Sequence, residues 1–184
     1  MSEDEVREFD PGTSAFLWEV HRYTNEYIRF ADTKAAFIAG TSAALIGSLV
    51  ASSLFDATFR STPCLWSGLQ WTGLVSLLLL VVSLGLSIAA IRPRLWNKTS
   101  VGYIFWGSIA GHKSMLQFTR AVHELSLLGM TNAVSDHLFV LSSIAKRKYA
   151  YVDWALSVGV AGGALAGIVL FVQHATHAAV AAHS

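Results

Sequence analysis

Residues 27–55 read Y-I-R-F-A-D-T-K-A-A-F-I-A-G-T-S-A-A-L-I-G-S-L-V-A-S-S-L-F, and over 35–55 no ionisable side chain interrupts them. A run of about 20 apolar or small residues is what a helix needs to cross the hydrocarbon core of a bilayer. Asp32 and Lys34 stand one turn before the run, where the chain would leave water. No proline lies between Thr13 and this stretch. The pattern therefore predicts one unbroken helix, outside the membrane over 13–34 and spanning it over 35–55.

Working outward, residues 69–91 form a second apolar run around Leu77-Leu78-Leu79-Leu80-Val81-Val82, closed by Arg92-Pro93-Arg94. Trp66 and Trp71 at one end and Trp96 at the other match an interfacial aromatic belt. Residues 155–173 make a third run. The 184-residue chain is 53% hydrophobic but only 14% charged, against about 25% charged in an ordinary soluble domain. That composition, with a mean hydropathy of +0.49, is a membrane protein's.

Basic residues set the expected topology. Arg7, Arg22, Arg29 and Lys34 precede the first span, Arg60 alone separates the first two, and Arg92, Arg94, Lys98, Lys113, Arg120, Lys146, Arg147 and Lys148 separate the second from the third. The positive-inside rule then puts the amino terminus and 92–154 in the cytosol and the carboxyl terminus outside. The expected division is an acidic flexible tail (1–12), a cytosolic helix (13–34) continuous with span one (35–55), an external loop (56–68), span two (69–91), a cytosolic helical region (92–154), span three (155–173) and an external tail (174–184). The acidic start, Ser2-Glu3-Asp4-Glu5, argues against a cleavable leader. Cys64 is the single cysteine, so no internal disulfide or thiolate metal site is expected.

In the cytosolic helix, Phe16, Val20, Tyr23, Tyr27 and Phe30 recur in fours and threes and predict its buried seam. Residues 95–111 read as irregular or mixed structure, broken by Gly102, Gly107 and Gly111; 112–128 reads as a helix stopped by Gly129. A further helix starts near Thr131 with its seam at Val134, Leu138, Leu141, Ala145, Lys148 and Val152, and runs into span three. At 1.5 Å per residue, each cytosolic extension would rise about 30 Å from the membrane. The fold class is thus an all-α integral membrane protein with three spans and a cytosolic bundle, built from extensions of spans one and three plus one or two short helices.

Small residues repeat at every fourth position in span one (Ala36, Gly40, Ala44) and span three (Gly159, Gly163, Gly167). In lipid this spacing lets helix backbones approach, either within the chain or between copies of it. Catalytic constellations are missing: there is no HExxH, nucleophile elbow, P-loop or glycine fingerprint. The expectation is a non-enzyme with neither catalytic residues, cofactor nor metal, and with no nucleic-acid partner.

Two readings of the charged boundary stay open. In one, Lys34 snorkels to the headgroups and Asp32 pairs locally with Arg29. In the other, Asn25, Arg29, Asp32 and Lys34 line a polar face opposite Asp136, His137 and Lys148, with Tyr103 and Trp106 as stacking groups. Such a set offers cations for a phosphate, acceptors for a ribose hydroxyl and rings for a base.

The stretches Tyr27-Ile28-Arg29-Phe30-Ala31-Asp32-Thr33-Lys34-Ala35-Ala36, Arg92-Pro93, Tyr103-Ile104-Phe105-Trp106-Gly107-Ser108-Ile109-Ala110, and the helix from Asp136 through Leu141, Ile144-Ala145 and Lys148-Tyr149, in this order, resemble the transmembrane effectors of Pycsar antiphage systems. The resemblance implies a bacterial inner-membrane defence protein that responds to cyclic UMP or cyclic CMP made by a pyrimidine nucleotide cyclase. It would then disrupt the membrane, arresting growth. The chain shows no separate cyclic-nucleotide-binding β-barrel, so the helical part itself would bind the ligand or sensing would differ. A homo-oligomer is expected. The rival readings are a nucleotide-independent membrane scaffold that docks a protein partner and an accessory subunit of an enzyme.

Overall fold

The computed structural model describes residues 11–52, 67–92 and 103–182. The acidic start, most of the expected external loop with Arg60 and Cys64, the segment carrying Arg94, Trp96 and Lys98, and His183 lie outside the described residues. Five helices follow one another: α1 (Pro11–Val50), α2 (Gly68–Ile91), α3 (Trp106–Ile109), α4 (Met115–His123) and α5 (Leu127–Ala182). No strand occurs among the described residues. The chain divides into two compact units, one holding residues 1–30 and 93–146, the other 31–92 and 147–184. The division falls inside α1 and inside α5, and both helices are continuous through it.

The second unit is the membrane unit. Three helices, Gly12–Val50, Gly68–Ile91 and Leu127–Thr176, contain stretches long and apolar enough to cross a bilayer, and only 17%, 28% and 22% of those stretches is buried in the protein. Phe37, Leu78, Val81, Val82, Ile88, Leu156, Val160, Ile168 and Phe171 all point outward. So much contiguous apolar surface would be untenable in water and is covered in lipid. The protein is an all-α membrane protein.

What faces inward is small. In α2 the buried residues are Gly73, Ser76, Leu80, Ser83, Ser87 and Ala90, alternating in threes and fours. In α1 they are Ala31, Ala35, Ile38, Ser42 and Leu49, with Leu45 partly buried in the same phase; in α5 they are Val152, Ala155, Gly162, Ala166 and Val169. A 3.5-residue period keeps one narrow seam of each helix on its partners. Two clusters result, Ala31–Ala35–Ile38–Ala90–Val152–Ala155 and Leu49–Leu80–Ala166–Val169.

Hydroxyls bind this seam across helices. Ser76 Oγ donates to the Gly162 carbonyl at 2.7 Å, Ser83 Oγ donates to the Ala155 carbonyl at 2.7 Å, and the Ser42 and Ser83 hydroxyls lie 3.2 Å apart. Lipid supplies no hydrophobic drive between helices, so close backbone approach and such bonds must hold them. Gly162 lies close to the backbone of α2: a Cβ there would meet Leu79 Cβ at 3.0 Å and the Leu80 nitrogen at 3.2 Å.

Local signals explain where the shorter helices begin. Ser67 caps α2 in a reciprocal box, its hydroxyl accepting from the Gln70 N–H while Gln70 Oε1 accepts from the Ser67 N–H at 2.7 Å. Ser114 caps α4 likewise, accepting from the Gln117 N–H at 3.2 Å.

Several expectations are corrected. Phe16, Tyr23, Tyr27 and Phe30 do not form the buried seam of α1: they are 66%, 49%, 60% and 54% exposed. The half-buried stripe is Leu17, His21, Thr24 and Ile28, one position further along and in phase with Ala31, Ala35 and Ile38 below it. The aromatic period is real, but a helix whose partners approach closely turns its small and polar side inward. The helix expected to run to Gly129 instead ends at His123, and Gly129 lies in the first turn of α5. The reason is Ser126, whose hydroxyl accepts the Gly129 N–H at 3.0 Å and starts a helix before the glycine can stop one. Within the stretch expected to be irregular or mixed, residues 106–109 form the single turn α3. Beyond span three, α5 stays helical to Ala182, and α1 ends at Val50. The expected seam of α5 is found as read: Val134 and Val152 are buried, and Leu138, Leu141, Ala145 and Lys148 half-buried.

A histidine–aromatic cluster and a boundary ion pair

In the first unit, residues from three parts of the chain meet. His21 of α1 and His137 of α5 place their ring centroids 5.3 Å apart with a 35° tilt. Phe105, just before α3, stands 6.4 Å from His137 at 34°, and Trp18 meets His21 edge-on at 5.5 Å. Asn25, one turn after His21, donates from Nδ2 to the His21 carbonyl at 3.1 Å and sits 3.3 Å from a ring nitrogen. His137 lies in the first compact unit, before the apolar run expected to cross the membrane at 155–173. Burial holds its pKa below the usual imidazole value, and the neighbouring His21 adds to that effect. The cluster is thus two imidazoles and an amide in an aromatic setting, able to donate hydrogen bonds but without permanent charge.

Nearby charge is spent locally. Arg22 bonds Glu19 at 2.5 Å and approaches Glu26 at 3.6 Å, and its guanidinium lies 5.1 Å from the Tyr23 ring centre. The hydrogen bond to Arg22 holds the Glu19 carboxyl below its ordinary range.

In the second unit, the Lys148 ammonium donates to an Asp32 carboxylate oxygen. The Lys148 side chain is only 13% exposed and Asp32 37%. Lys148 occupies a seam position of α5, between Ala145 and Val152, so this ion pair interrupts an otherwise apolar and small interface. The Asp32 carboxylate therefore has a partner on a second helix.

The ligand-site candidates divide between the units. Asn25, Arg29, Tyr103, Trp106, Asp136 and His137 belong to the first; Asp32, Lys34 and Lys148 belong to the second. Asn25 and His137 both join the His21 cluster. Arg29 and Asp136 are exposed and Tyr103 half-buried, while Trp106 opens α3. Lys34 is exposed next to the Asp32–Lys148 pair in sequence. His21, Trp18 and Phe105 were missed. The available signal was spacing: His21 lies one turn before Asn25 on the same helical face.

The packing glycines also separate. Gly159 and Gly163 face neighbouring helices, where a Cβ would meet Ser83 Oγ at 2.6 Å and Leu45 Cδ1 at 3.3 Å respectively. Gly167 and Gly40 have open space, and Ala36 and Ala44 are exposed with Gly40. Among the described residues, no three histidine, cysteine or acidic side chains gather as a metal would require.

Fold and site together define a multi-span helical membrane protein that carries a histidine–aromatic cluster. The model of the Pycsar effector protein domain matches residues 16–173, so the chain belongs to the Pycsar transmembrane effector family and is an antiphage membrane effector. It is similar to the Pycsar effector protein SaPycTM of Staphylococcus aureus, with 27% identity over 132 residues, covering 71% of this chain and 77% of that protein. No solved structure matches it.

Proposed function

We propose that this protein senses a cyclic pyrimidine nucleotide, cyclic UMP or cyclic CMP, through the helical unit outside its spans, and answers by disrupting the bacterial inner membrane. The observation that carries this reading is the family match, which extends over the ligand-site candidates and all three spans. In this reading the amino terminus is cytoplasmic and the carboxyl terminus external, which the distribution of basic residues favours. The ligand comes from a pyrimidine nucleotide cyclase, so the protein reads a signal and does no chemistry of its own. A nucleotide can shift the membrane unit only by binding one arrangement of α1 and α5 more tightly than another. Several copies act together, with the outward Ala36–Gly40–Ala44 face available between them.

The test uses the full chain in vesicles loaded with a self-quenched dye. Cyclic UMP or cyclic CMP should bind the protein and release dye, and cyclic AMP should do neither. If no pyrimidine nucleotide binds or changes permeability, the reading is wrong.

A further inference from the structure

We infer that the His21–His137 pair takes the phosphate of the cyclic nucleotide, with Asn25 as a further donor and Phe105 as the face on which the base stacks. The inference rests on the nucleotide-sensing reading above and assigns it a place. The two imidazoles come from different helices, 5.3 Å apart, and none of the ion pairs among the described residues includes either of them. On α1 the neighbouring charges, Glu19, Arg22 and Glu26, engage one another. On α5 the neighbouring charge is Asp136, which is exposed, and the segment before α3 contributes the uncharged ring of Phe105.

His137 favours the neutral state, because burial and the neighbouring His21 both oppose its protonation. An arriving monoanion reverses that balance by supplying the missing countercharge. The pair then takes up a proton and donates charge-assisted bonds to the phosphate oxygens. A base beside it gains from stacking on the aromatic ring. The same event changes the contact between α1 and α5, the two helices that continue into the membrane unit.

The experiment is calorimetry of the full chain in nanodiscs at pH 7, with cyclic UMP, cyclic CMP and inorganic phosphate, in two buffers of different ionisation heat. One nucleotide should bind with net proton uptake. His21→Gln and His137→Gln should each weaken it at least tenfold and remove the buffer dependence. Phe105→Ala should weaken the nucleotide about tenfold, the size of one lost base stack, and leave phosphate binding unchanged, and Phe105→Tyr should restore it. As a measurement free of variants, the His137 ring resonance of the wild type should titrate at higher pH with saturating nucleotide than without. Nucleotide binding that is unaltered in all three variants, with an unshifted His137 titration, overturns this assignment and leaves the proposed function standing. Equal affinity for phosphate and nucleotide reduces the site to an anion site and overturns it too. Failure of the wild type to bind either nucleotide removes the proposed function along with it.

Discussion

Replacing Gly159 by alanine isolates the interaction that fixes α2 against α5. The new Cβ would stand 2.6 Å from Ser83 Oγ but 3.5 Å from Ser83 Cβ and 3.8 Å from Ile38 Cγ2. The conflict is therefore with the hydroxyl alone, and that hydroxyl donates to the Ala155 carbonyl and meets Ser42. Driving it aside forfeits both contacts. Interhelical hydrogen bonds in a membrane average about 0.6 kcal/mol and reach about 1.7, so Gly159→Ala should cost about 1–2 kcal/mol. Ser83→Ala forfeits the same contacts and should cost about as much. The double variant, however, has no hydroxyl left to displace, and its methyl groups meet at an ordinary contact distance. It should be no less stable than Ser83→Ala alone, giving a coupling of about 1–2 kcal/mol in a double-mutant cycle. Equilibrium unfolding in mixed micelles, followed by helical circular dichroism, reads all four corners. Gly162→Ala is the control, because its neighbours include the Leu80 backbone nitrogen at 3.2 Å, so Ser83→Ala should not rescue it. Strictly additive effects of Gly159→Ala and Ser83→Ala, or a silent Gly159→Ala, would refute the packing argument.

Three further outcomes are expected. Lys148→Met should destabilise the membrane unit by about 1–3 kcal/mol, less than a fully buried pair because Asp32 retains some water, and Asp32→Leu added to it should restore most of the loss, read by the same unfolding assay. Gly40→Leu should leave unfolding of the helices within about 0.5 kcal/mol, as expected for a site without neighbours, yet lower the yield of chemically crosslinked oligomers if that face joins copies. Because His137 titrates below its ordinary value in the folded state, its unfolded form protonates first as the pH falls. Native stability should therefore decline below about pH 6.5, and His137→Gln should flatten that part of the profile in thermal melts between pH 7.5 and 5.

Much of this was legible from residue types. The three spans stood out because each is a long uncharged run, and the seam of α5 emerged in correct phase because its apolar residues are also its buried ones. In α1 these two properties part company. Its largest apolar residues, Phe16, Tyr23, Tyr27 and Phe30, face outward, and the inner stripe of Leu17, His21, Thr24 and Ile28 is partly polar. Hydrophobic periodicity measures amphipathicity, and near lipid it no longer indicates which side meets another helix. The serines of α2 were passed over for the same reason: within a leucine-rich run they look like interruptions, although Ser76 and Ser83 make its cross-helix bonds. The every-fourth glycine rule selected Gly159, Gly163 and Gly167, whereas the seven-residue phase of the seam runs through Gly159 and Gly162, and at Gly162 a Cβ would meet a neighbouring backbone nitrogen at 3.2 Å. The histidine cluster joins residues more than a hundred positions apart, and no local pattern announces that.

The hydroxyl bonds of α2 have a mechanical consequence. Ser76 and Ser83 are seven residues apart, and so are their acceptors at Gly162 and Ala155, in the opposite order along the chain. Slide one helix by a single residue and both hydroxyls miss their mark together, since the two pairs keep a common pitch. The arrangement behaves as an indexing pin. Axial creep meets resistance from both bonds at once, and any rearrangement of the spans that keeps α2 and α5 together must turn or tilt them as one piece.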